Sequence, residues 1–111
     1  MLSASEAVLK SLSEMLEQAH ARIQAKHAGI NPVVGVRRGM RDTGIPADVI
    51  SVDCLSARRR ILFVLHDQSP GVLLYQFTAL DDEADNNFEQ VSLDHVDVDT
   101  LMQWMESQFS A

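Results

Sequence analysis

The chain has 111 residues, 46% hydrophobic and 23% charged, which fits one globular α+β-sized domain with a real core and excludes an intrinsically disordered chain. A net charge of −7 argues against holding duplex nucleic acid by phosphate neutralisation. The single cysteine, Cys54, excludes an internal disulfide and a Cys-rich zinc site, and no apolar run approaches the roughly 20 residues that span a bilayer.

The opening stretch Met1-Leu2-Ser3-Ala4-Ser5-Glu6 lacks the basic start and apolar core of a secretory signal, so a reduced, cytoplasmic setting without membrane contact is expected. Charge is spread unevenly. Residues 1–28 are balanced, residues 29–66 carry six Arg against three Asp, and residues 67–111 carry ten acids with no Lys or Arg.

In chain order, residues 4–28 read as a helix. Ser3 and Glu6 fit a capping box, Gly29 fits the terminating position, and Pro32 lies just beyond. Val8, Leu12, Met15, Leu16, Ala19 and Ile23 form its apolar stripe, and packing is expected to stop near Ile23 because Lys26 falls on the same stripe. About 25 residues at ~1.5 Å each make a helix nearly 38 Å long, so it must bend, fray or project from so small a domain. Val33, Val34 and Val36 suit a short edge strand, whereas Arg37 to Pro46, rich in Gly, reads as a long loop. Val49–Leu55, Ile61–Leu65 and Val72–Phe77 read as strands, the last two joined by the turn signal Gln68-Ser69-Pro70-Gly71. Residues 81–87 form an acidic loop, and Phe88–Leu93 a more polar edge strand. A last helix runs from about Val98 to Phe109, with Asp97 as its N-cap and Trp104 beside its apolar stripe. The fold expected is α+β: a long N-terminal helix, an antiparallel meander sheet of about four strands and a C-terminal helix, all in one domain over 1–111. The central strands are apolar on both faces, so either one helix covers each face or both cover one and a second subunit covers the other.

Arg37, Arg38, Arg41, Arg58, Arg59 and Arg60 are the candidate binding residues. Guanidinium groups grip carboxylate and phosphate in a bidentate fork, and the six would line one patch if the 37–46 loop folded near the 56–60 turn. The plainer reading is a solvated turn guarding an apolar strand. A variant sets the basic middle of the chain against the acidic 81–99 segment, of the same chain or of another.

Asp42-Thr43-Gly44 resembles the active-site triplet of aspartic proteases, whose retroviral-type members bring one copy per subunit to a dimer axis so that two Asp share a proton. The resemblance covers three residues. Gly39-Met40-Arg41 stands where that family has an apolar strand, and a polar turn ending at Pro46 is the preferred account of the triplet. Asp81, Asp82, Glu83 and Asp85 lack EF-hand spacing, and His20, His27, His66 and His95 contain no His-x-x-x-His pair, so no metal or cofactor is expected. His66-Asp67 with Ser69 nearby has the residue types of a hydrolytic site but no further signature. Cys54 fits a small core residue.

These features favour a non-catalytic protein-interaction domain, an adaptor, inhibitor or chaperone-like binder, with a protein partner and a possible homodimer. In broad composition the chain is similar to secretion chaperones, but no helix interrupts its strands. A small anionic-ligand domain built on the Arg-rich loop is the alternative, and an enzyme with an unfamiliar site a third.

Overall fold

The computed structural model describes residues 4–27, 29–81 and 88–109, with Ala4, Ser5 and Arg41 in their backbone only. Helix α1 (Ala4–Lys26) leads into strand β1 (Val33–Arg37), a single-turn helix α2 (Gly39–Asp42), and strands β2 (Ala47–Cys54), β3 (Arg59–His66), β4 (Val72–Ala79) and β5 (Glu89–Ser92). A short 3₁₀ turn follows, and helix α3 (Val98–Phe109) closes the chain. The strands pair in chain order, each antiparallel to the next. The architecture is the expected α+β meander, with five strands where about four were expected. The fifth is β1, the short edge strand that Val33, Val34 and Val36 suited, and it continues to Arg37 because Gly35 and Arg37 find partners in Ser51 and Val49.

The stripe read along α1 is the face it buries. Leu12, Leu16, Ala19 and Ile23 are fully buried, and Val8 and Met15 pack against them. Lys26 is exposed and turns to Glu106 of α3, so apolar packing does end at Ile23. The helix has 23 residues, about 35 Å of rise, close to the molecule's longest extent of 38 Å. Ser3, the proposed cap, lies outside the described residues.

The turn signal at 68–71 closes the β3–β4 hairpin for a stereochemical reason. The Val72 amide donates to the Ser69 carbonyl at 3.2 Å, which makes Pro70 and Gly71 the central pair of a tight turn. Pro70 supplies its fixed φ, and Gly71 sits at φ 79°, a value a side chain resists.

Both long helices lie on the same face of the sheet. Leu101, Met105 and Phe109 of α3 join the α1 stripe in one continuous core with Ile50, Val52 and Cys54 of β2, Ile61, Phe63 and Leu65 of β3, and Leu73 of β4. Trp104 stacks on Tyr75 (4.5 Å between centroids) and lies edge-on to Phe77 (5.9 Å), two residues of that same face. Of the two helix placements the sequence left open, both helices on one side is the one adopted. No helix of the structure is long and apolar enough to cross a membrane.

Candidate functional site

The five arginines whose side chains are described do not converge. Arg37 is opposite Val49, near the start of β2, while Arg59 and Arg60 are opposite Cys54 and Asp53 at its end. Four residues of strand, about 13 Å, separate the two groups along the sheet.

At the first end, Arg38 donates from Nε to Asp48 Oδ1 at 2.9 Å, and its Nη1 stands 4.0 Å from Glu6 of α1. The Asp48 carboxylate is fully buried on the helix side, so Arg38 neutralises a charge that water does not reach. Arg37 is exposed at the end of β1. The Arg41 side chain lies outside the described residues.

At the second end each guanidinium has a local partner. Arg58 pairs with Asp81. Arg59 donates from Nη2 to Gln108 Oε1 of α3 at 2.6 Å. Arg60 grips Asp53 as a bidentate fork, Nε to Oδ1 at 2.7 Å and Nη2 to Oδ2 at 3.0 Å. The hydrogen bonding of Asp53 raises the Arg60 pKa, outweighing the partial desolvation that opposes it. The Arg58–Asp81 pair is an intrachain instance of the basic middle meeting the acidic segment. Asp82, Glu83 and Asp85 lie outside the described residues.

Asp42-Thr43-Gly44 is the C-terminal turn of α2. The Met40 carbonyl accepts from the amides of Thr43 (3.2 Å) and Ile45 (2.9 Å) and from Thr43 Oγ1 (2.9 Å), while Gly44 takes φ 88°. Asp42 is exposed beside this turn. His66 has a comparable local role: its Nδ1 accepts the Gln68 amide at 3.2 Å within the β3–β4 turn. His20 meets Asn31, and His27 meets Glu106. Among the described residues no group of three or more His, Cys, Asp or Glu is arranged to hold a metal. Cys54 is buried in the core, as its alternating strand suggested.

What the structure assembles is a surface. Residues alternate across a strand, so the face opposite the helices is made by Val33, Gly35 and Arg37 of β1, Ala47, Val49, Ser51 and Asp53 of β2, Arg60, Leu62, Val64 and His66 of β3, Val72, Leu74, Gln76 and Thr78 of β4, and Gln90 and Ser92 of β5. In register, Val49, Val64 and Leu74 form one row across three strands, and Ser51, Leu62 and Gln76 the next. Among the described residues, no helix covers these rows. Charge stands at the margins, with the Arg60–Asp53 fork at one end and Arg37 on the edge strand toward the other. The ten acids of residues 67–111 contribute nothing to the described part of this face. The continuous apolar runs of β3 and β4 signalled a second apolar face, but Asp53 as the partner of Arg60 carried no sequence signal, because the two are seven residues apart and meet only through the β2–β3 register.

A scan of known protein families finds no match to this sequence, and comparison with curated proteins and with solved structures finds none either.

Proposed function

We propose that this chain is a non-catalytic protein-interaction domain of the cytoplasm, working as a homodimer and receiving its partner on the helix-free face of the sheet. The observation that carries this reading is the Val49–Val64–Leu74 row with Leu62 beside it. These are apolar side chains in the centre of a face whose charges stand at its margins, the anatomy of a protein interface with a dry centre and a polar rim. A partner surface that is apolar at its centre and weakly charged fits it. Anionic-ligand binding has less support, since Arg38, Arg58, Arg59 and Arg60 already hold partners and the two arginine groups lie apart.

Val64→Lys with Leu74→Lys places two charges in the centre of the face, at half-buried positions from which the long side chains can reach water and let the fold survive. Quantitative affinity capture from the source cells compares this variant with the wild type and with Gln18→Lys on exposed α1. The expected outcome is at least one protein recovered with wild type and Gln18→Lys but reduced tenfold or more with the double variant. Recovery that is identical for all three overturns the reading. A small anion retained in native mass spectrometry, and lost in Arg37→Ala, moves the assignment to ligand binding.

A further inference from the structure

The two edges of the sheet are finished differently. An edge strand presents unpaired backbone N–H and C=O groups, and proteins blunt such edges with charge, proline or shortness. Strand β5 is blunted: it has four residues and begins with exposed Glu89 and Gln90. Strand β1 is not. Its sequence is Val-Val-Gly-Val-Arg, Val33 is 58% exposed and Val36 47%, and among the described residues no strand pairs with its outer edge. The other large apolar side chains that are exposed, Ile45 and Leu55, come just before and just after β2, the strand that β1 pairs with.

We propose that β1 pairs antiparallel with β1 of a second copy about a two-fold axis through Gly35, joining two five-stranded sheets into one of ten. This rests on the homodimer reading above and assigns its interface. The strand is self-complementary about Gly35. On the helix side each Val36 meets Val34 of the second copy, covering an exposed apolar side chain twice. On the helix-free side Arg37 of the second copy stands beside Val33, in the row that continues to Asp53 and Arg60. Arg37 has no ion-pair partner among the described residues. In the dimer Asp53 is two strand spacings from it, about 10 Å between Cα atoms, within the joint reach of the two side chains. A carboxylate accepts from two guanidinium groups, so the Arg60 fork is retained. The −7 charge of the chain does not oppose this contact, because β1 carries no acid and the pairing brings Arg37 toward Asp53.

The pairing also explains how so small a face serves as a docking surface. One face, four strand spacings wide and eight residues long, has a footprint of roughly 500 Å², below the ~800 Å² per partner of a standard interface. Two faces joined edge to edge offer roughly 1,100 Å².

The test is a register-specific cross-link in the full chain. Cysteines at 33 and 37 of one strand are about 13 Å apart and cannot join to each other, but across the axis 33 of one copy is directly opposite 37 of the other. Under mild oxidation Val33→Cys with Arg37→Cys is expected to form a covalent dimer on a non-reducing gel, while Val33→Cys alone forms at least tenfold less. Sedimentation equilibrium at tens of micromolar is expected to show a wild-type dimer, and Val36→Lys, at an exposed position, to weaken it at least tenfold with unchanged circular dichroism. A wild-type dimer that Val36→Lys leaves intact and that gives no register-specific cross-link overturns the edge pairing and leaves the homodimer reading standing. A monomeric wild type overturns both, and the face variants described above then decide the interaction reading separately.

Discussion

Arg58 is the one described non-glycine residue in the left-handed region, at φ 56° in the β2–β3 turn. The turn holds it there: the Arg58 amide donates to the Leu55 carbonyl at 3.3 Å, and its own carbonyl accepts from Leu80 at 3.0 Å. A side chain in this conformation costs about 1–2 kcal/mol, which glycine avoids. The pair with Asp81 that Arg58→Gly would remove is exposed on both sides and contributes little. Arg58→Gly is therefore expected to stabilise the fold by about 0.5–1 kcal/mol, after the larger unfolded-state entropy of glycine is deducted, as read from urea denaturation. A loss of stability would mean that the Asp81 pair outweighs the strain. The Arg58-Arg59-Arg60 run shows how neighbours in sequence diverge in space. Arg58 lies in the turn, Arg59 faces α3, and Arg60 faces the helix-free side, because strand alternation sends consecutive side chains to opposite faces.

Helix α3 is anchored at both ends by carboxylates. Asp97 accepts the Thr100 amide at 2.8 Å and its hydroxyl at 2.9 Å, the N-cap that its position before Val98 implied. These two bonds, the backbone one foremost, lower its pKa. Glu106 accepts from Lys26 and meets His27 at the end of α1, and hydrogen bonding to Lys26, then to His27, lowers its pKa as well. A carboxyl whose folded pKa is depressed binds fewer protons folded than unfolded at acidic pH. Its stabilisation is in place above the ordinary carboxyl value of about 4 and is lost as pH falls through the lower folded value. The melting temperature is expected to fall as pH is lowered from 6 to 3. Asp97→Asn keeps an acceptor of equal capping rank without the titration, so it should flatten part of that fall. A pH profile identical to wild type would show that the cap contributes nothing to acid sensitivity.

At the scale of the molecule, placing two helices on one face makes neighbouring positions of one strand unequal. Ile61 is 1% exposed beneath the helices, whereas Leu62 is half-buried on the other side. Ile61→Ala removes a core side chain and is expected to cost about 3 kcal/mol. Leu62→Ala removes one that water already reaches and is expected to cost about 1 kcal/mol, both measured by denaturant unfolding. Comparable losses at the two positions would mean that something covers the second face in solution. The same one-sidedness moves the functional reading from arginines to surface. With a core on one side only, the apolar remainder of β3 and β4 stays outside it.

Local patterning by itself determined most of the elements. The α1 stripe ending at Ile23, the Asp97 cap and the Ser69–Val72 turn were legible because each depends on residues a few positions apart, where helix period, hydrogen-bonding reach and allowed φ act directly. The 37–46 segment was harder to read: the single helical turn α2 is too short to show a period, and Arg37 joins β1 only by pairing with Val49 of β2. Tertiary structure alone decided that the five arginines whose side chains are described stand at two ends of the sheet, that Arg60 is held by Asp53, and that both helices share a face. The physical reason is common to all three. An apolar run is equally consistent with a face under a helix and a face open to a partner, and only the register of strands and the packing of helices assign each side chain to one or the other.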